Sequence, residues 1–167
     1  MNESEPIDWS VVSPEMASLI HSQAEKHLTA QLTSALASDQ RATTFASILA
    51  SISAAVLAGC AALWETLEGA SLAAGFTVSI SLLVAAIFGA WAARPIDFFM
   101  PGARPEQFAE CREQPLAQVL GQLSEIYQHD IDENEEFMAG NQKALRLGLV
   151  FALSSPILGI ITWHFAT

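Results

Sequence analysis

Hydrophobic and polar positions divide this chain sharply. From Ala42 to Ala93 two long uncharged segments are separated only by Glu65-Thr66-Leu67-Glu68-Gly69. Each is long enough to cross a bilayer, since about 20 apolar residues span about 30 Å of hydrocarbon. The pattern predicts a membrane hairpin over residues 42–64 and 70–93, and so short a connection makes the two spans antiparallel neighbours. A third segment, from Leu147, carries no acidic or basic residue before His164, and predicts a span over 147–166. Pro156 removes a backbone hydrogen bond there and is expected to kink the helix, with Ser154 and Ser155 placed to compensate.

The remaining stretches are polar with a helical period. Ser13-Pro14-Glu15 reads as a helix start: serine caps free N–H groups, proline suits the first helical position, and glutamate suits the positive end of the dipole. From there to Arg41 no Gly or Pro intervenes, and Leu19, Ile20, His27, Leu28, Leu32, Ala35 and Leu36 recur at helical spacing. This predicts an amphipathic helix running into the first span. Arg94-Pro95 stops the second span. The stretch from Ile96 to Pro105 holds two further prolines and Gly102, so a long regular helix is excluded. It is expected to lie along the membrane surface, with Phe98, Phe99 and Met100 against lipid or a helix.

From Leu116 the helical period returns. Leu116, Val119, Leu120, Leu123, Ile126, Tyr127, Ile131, Asn134, Phe137, Met138, Asn141 and Leu145 form a coiled-coil-like stripe with polar breaks at Asn134 and Asn141, which are candidates for fixing register or subunit number. Nothing breaks the pattern between Leu116 and Leu153, so this helix and the third span are expected to form one rod. About 50 residues would extend about 75 Å. The expected fold is therefore an all-α integral membrane protein. Three transmembrane helices carry a cytosolic helical layer, made by an N-terminal helix and a long helix continuous with the third span. Its segments are 1–41, 42–93, 94–146 and 147–166.

The spans are rich in small residues. Ser47, Ser51, Ala55 and Gly59 lie four apart, as do Ala46, Ala50, Ala54, Ala58 and Ala62; Gly75 with Ser79, and Ala85, Gly89 and Ala93, repeat the spacing in the second span. Small residues at such intervals let helix backbones approach closely in lipid. Ser47, Ser51, Ala55, Gly59, Gly75, Ser79 and Gly89, with Asn134 and Asn141, are the candidate helix-packing and oligomerisation positions. Trp64, Trp91 and Trp163 sit where interfacial tryptophans belong.

Charge sets the orientation. All seven bases, Lys26, Arg41, Arg94, Arg104, Arg112, Lys143 and Arg146, fall before the first span or between the second and third. The positive-inside rule then predicts a cytoplasmic N-terminus and 94–146 segment, with the Glu65–Gly69 loop and Thr167 on the other side of the membrane. The net charge of −11 argues against nucleic acid as a partner. The acidic N-terminus has no signal-peptide pattern, so the first span is expected to supply targeting.

Enzyme chemistry is not spelled out. No phosphate loop, HExxH, CxxC or Gly-x-Ser-x-Gly is present. No charge lies deep in a span, as a carrier's ion pathway would require. His21, His27, His129 and His164 are scattered. Cys60 and Cys111 match no metal spacing, and Asp130, Asp132, Glu133, Glu135 and Glu136 lack the order of a calcium loop and read as a solvated face. No catalytic residue, cofactor or metal site is expected.

Two junctions carry a likeness. Ala37-Ser38-Asp39-Gln40-Arg41-Ala42 leads into the first span, and Tyr127 through Asn141-Gln142-Lys143-Ala144 leads into the third. The order of helix, hairpin, helix and final span over residues 20–166 resembles the small membrane module of Pycsar-type bacterial antiphage effectors. The resemblance implies a homo-oligomeric effector that impairs or permeabilises the inner membrane in abortive infection, gated by a cyclic nucleotide. No separate nucleotide-binding domain is present, so sensing would fall to the cytosolic helices or to a signalling partner protein. Arg94, Arg104, Arg112, Lys143 and Arg146 are the candidate phosphate contacts. The alternative is a non-enzymatic scaffold or accessory subunit whose helices dock a cytosolic partner. A holin-like lysis protein also has three spans, but does not need so long a cytosolic segment.

Overall fold

The computed structural model describes residues 7–102, 111 and 113–167. The described residues form three long α-helices and no strand: α1 (Pro14–Ala62), α2 (Gly69–Ala92) and α3 (Leu116–Ala166). Each contains a segment long and apolar enough to cross a membrane. The all-helical, three-helix expectation is met.

The helix limits follow from local chemistry. At the start of α1, Ser13 Oγ accepts a hydrogen bond from the Met16 amide (3.2 Å), and Glu15 occupies the first turn. The helix then runs 49 residues unbroken, so the amphipathic stretch and the first apolar segment are one element. It stops at Ala62, two residues short of the expected Trp64. There the Leu63 carbonyl is taken by a tight turn, accepting from the Thr66 and Leu67 amides at 3.0 and 2.9 Å. Past α2, the Ala93 amide still donates to Gly89 (3.2 Å) and that of Arg94 to Trp91 (3.3 Å), before Pro95 ends the ladder. α3 runs 51 residues with Pro156 inside it. Proline has no N–H for the Ala152 carbonyl four residues back. Ser155 Oγ donates to that same carbonyl at 2.8 Å, and Ser154 Oγ donates to Phe151 at 3.1 Å.

The chain divides into two compact units. The first comprises Met1–Ala35 and Asp97–Phe137, and the second Leu36–Ile96 and Met138–Thr167.

In the first unit the α1–α3 seam runs through smaller and more polar residues than the apolar stripes predict. On α1, Ala17, Leu28 and Gln31 are buried, while Leu19 is exposed. On α3, Ala117, Gly121, Ser124, Tyr127, Ile131 and Asn134 are buried, while Leu116, Ile126 and Phe137 are exposed. The predicted stripes are thus met in part, at Leu28, Tyr127, Ile131 and Asn134, and displaced around each helix elsewhere. Two helices approach closest where side chains are short, and bulkier residues are left at the flanks. Leu28, Tyr127 and Ile131, with Ala24, make the apolar centre. Trp9, which no helical pattern covers, is also buried. Its indole lies directly over Gly121, in space a Cβ there would occupy, and Nε1 donates to Glu125 Oε1 at 2.7 Å.

In the second unit α2 meets both other helices. Leu49, Leu82, Ala85 and Ala86 form one core cluster, with Phe45, Val78 and Ala152 against it. Ala42, Ala92 and Ala144 form another at one end of the unit, so that all three helices meet there on alanines.

Candidate functional site: helix interfaces and a basic rim

The α1–α2 interface is built from residues that bring backbones together. A Cβ on Gly75 would run into Cys60 Sγ. One on Gly89 would meet the Phe45 ring at 3.0 Å and the Ala46 Cβ at 3.1 Å. Between these contacts sits a reciprocal serine pair, wholly buried. Ser53 Oγ lies 2.9 Å from the Ser79 carbonyl, Ser79 Oγ lies 3.0 Å from the Ser53 carbonyl, and the two hydroxyls are 2.8 Å apart. Each hydroxyl has one proton, so the pair shares its donors among these acceptors. Interhelical hydrogen bonds of this kind contribute about 0.6 kcal/mol in lipid, rising to about 1.7.

The α2–α3 interface repeats the device with residues that the span patterns left unmarked. A Cβ on Gly148 would lie 3.0 Å from the Ala85 carbonyl oxygen and 3.2 Å from the Phe45 ring, and one on Gly159 would meet the Val78 side chain. Ser81 Oγ donates to the Phe151 carbonyl (3.0 Å), Thr162 Oγ1 lies 3.2 Å from Thr77 Oγ1, and Phe88 stacks on Phe151. The signal was in the sequence: Gly148, Ala152, Ser155, Gly159 and Thr162 keep helical spacing on one face.

The candidate packing positions therefore separate into two groups. Gly75, Ser79 and Gly89 lie in the α1–α2 interface. Ser47, Ser51, Ala55 and Gly59 do not: all four are exposed, and nothing lies within 4 Å of a Cβ built on Gly59. Their hydroxyls fold back on their own helix, Ser47 Oγ to the Thr44 carbonyl (2.9 Å) and Ser51 Oγ to that of Ser47 (2.8 Å). Phe45, Leu49, Ser53 and Cys60 take the inner face of α1 instead.

Asn134 is a completely buried polar residue of the first unit. Its Oδ1 accepts from the Phe99 amide (3.1 Å), and its Nδ2 donates to the Phe99 carbonyl (3.1 Å) and to Gln31 Oε1 (3.3 Å). Gln31 Nε2 in turn donates to the Ile131 carbonyl at 3.1 Å. Nearby, the Gly102 amide donates to Tyr127 Oη at 2.8 Å; its φ of 120° is open to glycine alone at low cost. The segment after α2 is thus pinned to the α1–α3 seam through its backbone. Asn141 is half-buried in the second unit. His21 stacks on Tyr127 at 5.1 Å, and its Nδ1 is buried without a hydrogen-bond partner among the described residues.

The acidic stretch of α3 is a solvated face. His129 Nε2 lies 3.3 Å from Glu133, His27 Nε2 lies 3.8 Å from Glu135, and Gln128 donates to Asp132 at 2.8 Å. Asp130 has its pKa raised, chiefly by partial burial, with His129 opposing and Glu133 adding to the shift. No metal-holding cluster occurs among the described residues.

Of the candidate phosphate contacts, Arg94, Lys143 and Arg146 are exposed at one end of the second unit, beside the Ala42–Ala92–Ala144 contact, and Arg41 joins them. Arg94 lies over the Trp91 ring, 4.8 Å from its centroid. Arg104 and Arg112 lie outside the described residues. No family model, curated protein or solved structure matches the chain.

Proposed function

We propose that the chain is a multi-pass inner-membrane effector that assembles from copies of itself and impairs the bilayer in antiphage defence. One observation carries the assembly: the outward faces of the three apolar segments differ. α2 exposes Ile80, Leu83, Ile87 and Trp91, and α3 exposes Leu149, Val150, Leu153, Ile157 and Ile160. Those bulky side chains suit lipid. α1 exposes Thr44, Ser47, Ser51, Ala55 and Gly59 along one face, with Ile48 and Ile52 beside it. Its hydroxyls, already bonded to their own helix, offer a smooth surface with no unmet donor. A face of that texture suits a second helix better than acyl chains. The placement of the bases supports a cytoplasmic N-terminus, and the order of helices supports the effector role by its likeness to the Pycsar membrane module. A cyclic nucleotide or a signalling partner would supply the trigger.

The test is membrane integrity in cells expressing the chain, followed by dye influx and potential, during phage infection. Wild type should depolarise the membrane, and Gly59→Leu should abolish this while leaving expression intact. A potential that stays intact under every condition refutes the effector role. A second reading, a scaffold that docks a cytosolic partner, is favoured by the exposed Leu19 and Ile126 of the first unit; recovery of one dominant hetero-partner on crosslinking would favour it.

A further inference from the structure

The charges of the second unit are segregated. Its acids are Asp39, Glu65 and Glu68, and its bases Arg41, Arg94, Lys143 and Arg146. Glu65 and Glu68 lie at the α1–α2 connection. All four bases gather at the opposite end of the hairpin, with Asp39 as their one acidic companion in this unit. Their level is fixed by the contact of Ala42, Ala92 and Ala144. Arg41 precedes Ala42, Arg94 follows Ala92 by two residues, and Lys143 and Arg146 flank Ala144. At 1.5 Å per residue, each of the helix-borne bases departs within about 3 Å of that contact along the axis. All four are exposed, and among the described residues none lies within the 4.0 Å of a carboxylate that would make an ion pair. Arg94 is instead held over the exposed Trp91 ring.

We propose that this rim binds the phosphates of anionic phospholipid headgroups. The bases stand where the apolar segments of all three helices stop, the level a headgroup occupies. They are spread over α1, the segment just past α2, and α3, and are exposed to solvent, which matches several headgroups of a surrounding lipid layer rather than one soluble ligand. Trp91 adds the amphipathic ring that favours this level, and it orients the Arg94 guanidinium for a forked contact with phosphate. The chain's net charge of −11 would otherwise repel an anionic surface, so the attraction is confined to this rim. One copy suffices, whether or not the chain assembles.

The experiment is native mass spectrometry of the full chain released from nanodiscs of equal phosphatidylglycerol and phosphatidylcholine. Wild type should retain phosphatidylglycerol in excess. Lys143→Gln and Arg146→Gln should each lower that excess by about fivefold, the equivalent of about 1 kcal/mol per base at an anionic surface. Lys143→Arg should keep the excess, as should Lys26→Gln, which removes a base of the first unit. Each variant leaves three rim bases to hold the orientation. In a second arm, inorganic phosphate is titrated against the chain in phosphatidylcholine alone. The same lipid ratio in wild type and both Gln variants overturns the proposal. So does saturable phosphate binding without lipid enrichment, which would assign the rim to a soluble ligand.

Discussion

Replacing Asn134 by leucine tests whether one buried amide holds the segment after α2 in place. The side chain is wholly buried and serves three groups: the Phe99 amide, the Phe99 carbonyl and Gln31 Oε1. Leucine has similar bulk and no polar atom, so the packing loss is small and the orphaned groups dominate. A buried donor or acceptor left unmade costs about 1–3 kcal/mol. The Gln31 amide can turn toward solvent, but the Phe99 backbone can recover partners only by leaving the seam. Two orphaned groups place the cost at about 2–6 kcal/mol, and detachment of the segment limits it to the lower part of that range. Gln31→Leu removes one acceptor of Asn134, and it removes a donor to the Ile131 carbonyl, a group inside α3. Its cost should therefore be near 1 kcal/mol.

The assay is hydrogen exchange followed by mass spectrometry, on a peptide covering residues 96–102. In Asn134→Leu the Phe99 amide should exchange about 10–100 times faster, since each 1.4 kcal/mol is a factor of ten, while peptides from α2 keep their protection. In Gln31→Leu the acceleration should be tenfold or less. Unchanged exchange at Phe99 in Asn134→Leu would refute the reasoning, because the bonds to Asn134 would then not be what holds the segment. Equal acceleration in both variants would place the anchor at Gln31 instead.

Two further outcomes follow from the geometry. Gly148→Val should destabilise the second unit by several kcal/mol, because its side chain has no room beside the Ala85 carbonyl and the Phe45 ring, whereas Gly140→Ala, with nothing within 4 Å, should stabilise α3 by about 0.5–1 kcal/mol; thermal unfolding in nanodiscs reads both. Asp130 has its pKa raised on folding, so it favours the folded first unit fully below its unfolded pKa, and that contribution is lost as pH rises through the folded value. Asp130→Asn should remove this contribution, so that lowering the pH through the carboxylate range stabilises wild type relative to the variant, read as the difference between their unfolding temperatures.

What the sequence made legible was set by length and by charge. Uncharged runs as long as Ala42–Trp64 have few alternatives to a membrane-length helix, and a missing glycine or proline between Glu15 and Leu57 leaves α1 nowhere to break. The side that each helix buries was harder to read, because bulk is a poor guide to contact when helices approach closely. Leu116, Ile126 and Leu19 kept a convincing period yet lie exposed, and Ala117, Gly121 and Ala17, which no hydrophobic count weighs heavily, make the seam. Trp9 was out of reach for another reason. Its partner Gly121 is more than a hundred positions away, and a missing side chain announces nothing until the ring that fills its place is found.

The same consideration bears on α1. Small residues in an apolar segment are ambiguous in the sequence, since they serve an internal contact and an external one equally well. Within this chain the ambiguity is divided by face: Gly75, Ser79, Gly89, Gly148 and Gly159 are consumed by α1–α2 and α2–α3 contacts, and Ser47, Ser51, Ala55 and Gly59 are not. If the outer face of α1 were merely a lipid face, large aliphatic side chains would serve it better, as they do on α2 and α3. Ser47→Leu with Ser51→Leu should then leave the fold, the assembly state and the unfolding temperature as they are, because both side chains are exposed and their hydroxyls bond their own helix. If the face is an interface between copies, the same pair should leave the monomer folded and shift the mass measured in nanodiscs to that of a single chain. A wild-type chain that is already a single copy would remove the reason for the small residues on that face, and with it the proposed route to a membrane-impairing assembly.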